Sequence, residues 1–356
     1  MITKKHELTI HFFDADGGDA IWIRFYGDDS SWHNILIDGG FIGSYATIFQ
    51  PVLKNIAEAK EVVDLWVITH IDLDHIGAVT NFIKDENFGE KDKLVKAYWF
   101  NHAVFKLPGM ENKIGYRQGV DLRTYLQQIN KLTIDKITDQ TGSKYFYGLT
   151  LTILSPTHEK ITAADLDWIE KEKKLPSKMG RTESDHKRKI EDFTQTGFIE
   201  DDDKTNGSSI TFLLQYKGIN GLFLADSHPS DIVNSLKNLG YSERCPLRLS
   251  FIKVAHHGSK KNTSIDLLKL ISTGVYVFSA NGITNKHPDK ETLVRILMHH
   301  QLMGQPLKFY FTSSTAEIKS LFSVDEKVDE RFNLTQEFVK DNDVQTTLTY
   351  LPIPVK

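Results

Sequence analysis

Val63-Asp64-Leu65-Trp66-Val67-Ile68-Thr69-His70-Ile71-Asp72-Leu73-Asp74-His75-Ile76-Gly77 is the stretch on which the reading turns. Its first six residues are almost all apolar, β-branched or aromatic, and predict a buried strand. From residue 76 onward Val79, Phe82 and Ile83 recur at helical spacing and predict a helix over 76–84. Between them, four groups able to ligate a metal fall within six residues: His70, Asp72, Asp74 and His75. Imidazole together with carboxylate suits zinc, manganese or iron. Alternate side chains on such a loop point to different sides, so it can serve two cations. The plain alternative, a polar turn capping a helix, accounts for one such residue more easily than for four.

Working outward, strand ends carry further polar residues. Asn34-Ile35-Leu36-Ile37 reads as a strand ending in Asp38-Gly39-Gly40, where Asp38 is placed to hold a ligating imidazole or a loop amide. Gly221–Ala225 reads as a strand ending at Asp226, a carboxylate able to bridge two cations or to cap the next helix. Leu249–Ala255 reads as a strand ending in His256-His257-Gly258, a ligand position beside a catalytic residue. Hairpin-like strands at 8–13 and 20–26, separated by Asp14-Ala15-Asp16-Gly17-Gly18-Asp19, open the chain. Helices are expected near 46–60, 119–132, 229–239, 264–272 and 289–301, with strands near 95–100, 149–154, 209–214, 275–279 and 307–311. Two β-rich halves followed by strand–helix units fit a sandwich of two sheets flanked by helices better than a doubly wound parallel sheet.

Composition bounds the partners. The chain has 356 residues, a net charge of -4 and 40% hydrophobic content, enough for a large core. No overall positive field draws it to nucleic acid, so such a partner needs a local patch. Residues 171–190 offer one, with eight Lys/Arg against three Asp/Glu: Lys171, Lys173, Lys174, Lys178, Arg181, Lys187, Arg188 and Lys189. The acidic triplet Asp201-Asp202-Asp203 nearby is expected to repel a polyanion. The single cysteine, Cys245, cannot make an internal disulfide. No run of 18 apolar residues or signal-peptide pattern occurs, which predicts a cytoplasmic protein without a membrane partner.

The ordered motifs resemble those of the metallo-β-lactamase superfamily, whose pattern is an HxHxDH loop, a later bridging Asp and a last His at a strand end. Here the loop is HxDxDH. That variant resembles the hydrolase domain of the DNA-uptake protein ComEC and its soluble relatives, as do Asp14–Ala20 against DVGQGDA, Asn206-Gly207-Ser208-Ser209 against NxxS, Lys253–Ser259 against KVxHHGS, and Asn281 with His287-Pro288 against a late NxxxxHP segment. The resemblance implies an α+β, four-layer αβ/βα sandwich, one domain over 1–356 with an insertion at about 158–205. It implies two divalent transition metals, zinc or manganese: His70 and Asp72 on one, Asp74, His75 and His256 on the other, Asp226 bridging. Asn206 stands where the family has another His, which makes the first position richer in oxygen and favours manganese. Asp74, His257 and His287 are the catalytic residues this implies, the two histidines steadying a substrate oxygen or protonating the leaving group after attack by a metal-bound hydroxide. The substrate class implied is a phosphodiester, with nucleic acid bound through Lys187, Arg188 and Lys189. The alternatives are a small-molecule metallohydrolase acting on a lactone, thioester or cyclic nucleotide, and a non-enzymatic binder built on the same loop.

Overall fold

A computed structural model describes residues 7–102, 116–133, 135–171, 183–193, 197–340 and 343–351. The first half supplies strands β1 (Leu8–Phe13), β2 (Ala20–Tyr26), β3 (Trp32–Asp38), β4 (Val63–Ile68) and β5 (Tyr98–Phe100). The second half supplies β6 (Ser143–Phe146), β7 (Leu149–Ser155), β8 (Thr211–Tyr216), β9 (Ile219–Phe223), β10 (Leu247–Arg248), β11 (Phe251–Lys253), β12 (Ile271–Ser272), β13 (Val275–Phe278), β14 (Leu307–Phe311), β15 (Leu334–Phe338) and β16 (Gln345–Tyr350). Six strands form one sheet in the order β16-β1-β2-β3-β4-β5, eight form another in the order β15-β14-β13-β11-β9-β8-β7-β6, and β10 pairs with β12. Each large sheet is antiparallel at one end and parallel at the other.

Alternation along the strands builds the layers, because successive side chains leave opposite faces. Leu8, Ile10, Phe12, Ile21, Ile23, Phe25, Ile35, Ile37, Leu65 and Val67 face the second sheet and meet Leu149, Leu151, Phe212, Leu214, Phe223 and Val277. Their neighbours Leu36, Trp66 and Ile68 face outward, under Leu53 and Ile56 of helix Gln50–Glu58 and Val79 and Phe82 of helix Leu73–Lys84. On the far side Leu213, Leu222, Ile252, Tyr276 and Phe278 pack beneath helices Pro229–Asn238 and Lys290–Gln301. Three apolar interfaces between four layers make the α+β, αβ/βα sandwich. Gly221 marks how closely the strands approach the core, since a Cβ there would run into the Phe251 ring. No helix among the described residues is long and apolar enough to cross a membrane.

Differences from the sequence expectations cluster at the ends of elements. The helix expected from 76 begins at Leu73, so Asp74 and His75 sit in its first turn rather than in the preceding loop. The strand expected over 249–255 is only Phe251–Lys253, because the chain turns left-handed at His256 and His257. β15 and β16 carry no expectation from the sequence, yet β16 closes the first sheet by pairing antiparallel with β1. Within 158–205, helix His158–Lys171 buries Ile161 and Trp168, and the turn Ile190–Phe193 buries both its apolar residues in the outer core of the second sheet. Lys173, Lys174, Lys178 and Arg181 lie outside the described residues, as does the side chain of Lys171.

Candidate metal centre

β4 is buried throughout, and it delivers Thr69 and His70 to the edge where β3 also ends. Asp38, the last residue of β3, has φ 52° and turns its carboxylate back over that edge. A non-glycine residue held there costs of order 1 kcal/mol or more, a strain typical of functional sites. Oδ1 of Asp38 accepts the Thr69 N–H (2.8 Å), and Oδ2 accepts the Thr69 hydroxyl (2.7 Å) and Nδ1–H of His75 (2.8 Å). The Trp66 indole clamps the Asp38 carbonyl at 2.9 Å. Having given its proton to Asp38, the Thr69 hydroxyl accepts from Nδ1 of His70 at 3.1 Å. Both imidazoles therefore have their outer nitrogen engaged and turn Nε2 inward.

Asp72 stands at the N-cap of helix Leu73–Lys84 but makes no capping bond with its side chain, and its carbonyl accepts the His75 and Ile76 N–H groups. Two glycines let the loop sit this close. A Cβ at Gly77 would lie 2.5 Å from the Ile42 nitrogen, and one at Gly18 would collide with the Asp74 carbonyl.

The second half approaches the same edge. Ala225, His256 and His257 all have positive φ (43°, 46° and 54°), and the His256 N–H donates to the Ala225 carbonyl at 2.7 Å. Nδ1 of His257 donates to the Ser279 carbonyl at 3.0 Å and lies 3.5 Å from Asp19 Oδ1. Nδ1 of His256 is 3.0 Å from Asn262 Oδ1 and 3.4 Å from Asp201 Oδ2.

All four imidazoles turn Nε2 toward Asp226. His75 and His257 stand 3.4 and 3.7 Å from its Oδ1, and His256 and His70 stand 3.5 and 3.8 Å from its Oδ2. Asp74 Oδ2 is 3.4 Å from His257 Nε2, and Asp72 Oδ2 is 4.0 Å from His70 Nε2. Asp74, His75 and His257 offer ligand atoms within 4.8 Å of one another, and so do His70, His75 and Asp226. Nε2 of His70, His75 and His257 and Oδ1 of Asp226 are buried and satisfied by no hydrogen bond. Buried polar atoms are seldom left so, and a converging set of them is the arrangement a cation completes. The residues fit a divalent metal.

Charge supports that fit. Burial opposes ionising Asp226, but His256, His75 and His257 outweigh it and hold the carboxyl well below its usual range. Burial opposes ionising Asp74 too, but the nearby His257 imidazole and the charge of His75 outweigh it and lower the carboxyl. Burial pulls His75 down, yet Asp226 and Asp38 raise it well above an ordinary imidazole, and Asp226 and Asp19 push His257 up to about 10. Burial and the neighbouring charge of His75 lower His70. Surplus carboxylate is what holds these protons, and a cation neutralises it more directly.

Several expected residues take other places. The imidazole grouped with Asp74 and His75 is that of His257, whereas the family pattern was carried onto His256. Asn206 is buried and gives Nδ2 to Asp201 at 2.8 Å, 3.5 Å from His256 Nδ1, and its Oδ1 has no hydrogen-bond partner. The ring of His287 lies 5.4 Å from that of His256 and 6.4 Å from that of His257. Lys187, Arg188 and Lys189 are exposed on a turn pinned beside it: Nε2–H of His186 donates to the Pro288 carbonyl at 2.9 Å, and Asp185 accepts the Lys290 and Glu291 N–H groups. The acidic triplet is not a uniform negative patch. Asp201 is buried beside His256 and Asp203 caps helix Lys204–Gly207, leaving Asp202 as the member turned fully to solvent.

Asp19, Lys253, Asp201 and Asn262 were missed as site residues. Lys253 Nζ lies 2.8 Å from both oxygens of Asp19, almost fully buried. A lysine inside an apolar strand was a usable signal, because it demands a buried partner. Asp201 and Asn262 offered none, since each looks like an ordinary loop residue.

A family model described as the metallo-beta-lactamase superfamily matches residues 15–139, about a third of the chain, including Asp38, His70, Asp72, Asp74 and His75. No curated protein matches the sequence. Among solved structures, the chain is similar to a mutant CmlA beta-hydroxylase, at 12% identity and TM-score 0.38 over 98% of this chain and 54% of that one. It thus spans about half of that protein's length. It is also similar to a motif mutant of a metallo-beta-lactamase from Cronobacter sakazakii (Enterobacter sakazakii), at 12% identity and TM-score 0.31 over 65% and 70% of the two chains. A third is the Rm3 metallo-beta-lactamase, at 14% identity and TM-score 0.27 over 70% and 77%.

Proposed function

We propose that this chain is a metal-dependent hydrolase that cleaves phosphodiester bonds, with nucleic acid as its substrate class and two divalent transition metals, zinc or manganese, as cofactors. The observation that carries the metal reading is the convergence of four Nε2 atoms on the two oxygens of Asp226. When bound there, divalent cations supply a Lewis acid and a water of lowered pKa. The chain's own groups do the rest. Asp38, through Thr69 and His75, fixes which ring nitrogen faces inward. His257 holds its place through the Ser279 carbonyl and turns Nε2 to Asp74. Attack of the water oxygen on phosphorus expels one ester oxygen, which must gain a proton. His70, His75, His256 and His257 all face Asp226, and His287, its ring 5.4 Å from that of His256 and 6.4 Å from that of His257, stands beside them to donate that proton.

Support for the phosphodiester comes from the ordered ComEC-like motifs and from the exposed Lys187-Arg188-Lys189 turn, tied to Pro288 one residue past His287. Lysine and arginine on such a rim neutralise phosphates flanking the one attacked. A small-molecule substrate is the second reading. It rests on the centre itself, because a Lewis acid held there would polarise a carbonyl oxygen as it does a phosphoryl one. The crevice beside His70, lined by Ile71, Ile161 and Trp168 with Asn101, Asp165, Thr205 and Ser208, is only about 10 Å³ and admits no more than a water. One panel separates them: bis-p-nitrophenyl phosphate, DNA, RNA, a lactone and a thioester, each with protein loaded with manganese or zinc. Cleavage of the diesters, abolished by Asp74→Ala, is expected. Hydrolysis of the lactone or thioester alone would overturn the phosphodiester assignment.

A further inference from the structure

The two adjacent histidines do not do the same thing. His256 and His257 are consecutive left-handed residues, and their rings stand 5.8 Å apart at 74° to each other, so they diverge. His257 points to Oδ1 of Asp226, the oxygen that His75 also faces, and His256 points to Oδ2, the oxygen that His70 also faces. Each of the four rings repeats one pattern: a polar partner on Nδ1 outside and Nε2 toward Asp226 inside. For His256 the outer partners are Asn262 Oδ1 and Asp201 Oδ2. Asp201 is itself oriented by Nδ2 of Asn206 (2.8 Å) and Nδ2 of Asn262 (3.1 Å). Asn262 is fully buried, which is unusual for an amide unless it has a fixed task.

The separations decide what lies between the groups. Nitrogen-to-oxygen gaps of 3.4–3.8 Å exceed the about 2.7–2.9 Å of a charge-assisted hydrogen bond. They approach the spacing of two ligands sharing an ion at about 2.0–2.2 Å each.

We propose that the tandem histidines divide between two cations: His257 joins His75 and Asp74 at Oδ1 of Asp226, and His256 joins His70 and Asp72 at Oδ2, held there by Asp201, Asn206 and Asn262. This rests on the two-cation reading above and changes it in one respect. The position that Asn206 leaves without a third-motif histidine regains an imidazole from the strand-end pair. Both cation positions then hold two imidazoles and two carboxylates, so the first is no longer the oxygen-rich one. Asn206 acts at one remove, as a positioning residue for Asp201 and through it for His256. His256 stands outside the tight ligand groups already described, with its Nε2 3.5 Å from Asp226 Oδ2.

The test is metal binding, read by calorimetric titration and elemental analysis, with the visible absorption of Co(II) as a coordination signature. Wild type is expected to bind two cations. His256→Ala and His70→Ala should each weaken one of them more than about a hundredfold, and the double variant His70→Ala/His256→Ala should still hold the other. His256→Ala/His257→Ala should retain neither at wild-type strength. Asp201→Asn should weaken the same cation as His256→Ala and shift its Co(II) spectrum, which loss of general packing would not do. His256→Gln, compared with wild type by circular dichroism, controls for misfolding. Unchanged affinity for both cations in His256→Ala and His256→Gln overturns the division, as does a wild type that binds a single cation. A wild type that binds no metal fails the two-cation reading itself.

Discussion

Lys253→Met removes a charge from the centre of the molecule and keeps the length of the side chain. Lys253 is 1% exposed and its Asp19 partner 2%. Nζ contacts both Asp19 oxygens at 2.8 Å and donates to the Val254 carbonyl at 3.0 Å. Burial works against ionising Asp19, but Lys253 and then His257 keep it ionised, below the usual carboxylate range. Methionine leaves that carboxylate in a dry place facing His257, whose Nδ1 is 3.5 Å from its Oδ1, with His75 and the like-charged Asp38 close by. Breaking a buried pair from one side costs about 3–5 kcal/mol, because the survivor loses its counter-charge and cannot regain water. Removing both charges, with Asp19→Asn and Lys253→Met together, should recover most of that loss and leave about 1–2 kcal/mol for the imperfectly paired amide and the Val254 carbonyl. Urea unfolding in excess chelator, followed by circular dichroism, measures both without the stabilisation a bound metal would add. A loss under about 1 kcal/mol for Lys253→Met, or a double variant less stable than the single one, would refute the claim that this pair is a buried charge lock between the halves.

Two further outcomes follow. Replacing Lys187, Arg188 and Lys189 by Gln should reduce polymer cleavage and flatten its logarithmic salt slope by up to about two or three, while bis-p-nitrophenyl phosphate turnover stays near wild type; an unchanged slope would make the turn a bystander. His300 accepts the Tyr276 hydroxyl at 3.0 Å, and burial, with the charge of His299 beside it, lowers its pKa from 6.5 to about 4. The unfolded chain therefore takes up this proton first as pH falls, so the stability His300 contributes is complete above about 6.5 and is lost toward 4, on the order of 2 kcal/mol. Urea midpoints of His300→Gln should fall less steeply than wild type between pH 7 and 4.5, and parallel curves would show that His300 is not linked to folding.

The β-branched and aromatic residues of 8–13, 20–26 and 63–68, and the helical spacing of Val79, Phe82 and Ile83, are local signals, because a strand or helix must bury its apolar side chains somewhere whatever it meets there. The ligand loop was legible for the same reason: His70, Asp72, Asp74 and His75 are neighbours in the chain, and no packing is needed to bring them together. Asp226 and the His256-His257 pair were legible as polar residues ending apolar strands. Their division was not, because it depends on two left-handed backbone positions and on which oxygen of Asp226 each ring meets. Long-range pairings left still less trace. Lys253 finds Asp19 across 234 positions, and Thr347 of β16 meets His11 of β1 across 336, choices made only when one sheet is laid against or extended by another. Local sequence determined which faces are apolar and where ligands gather; the tertiary structure alone decided which distant group completes each one, because burial gives a charge or a strand edge its partner by shape and not by spacing.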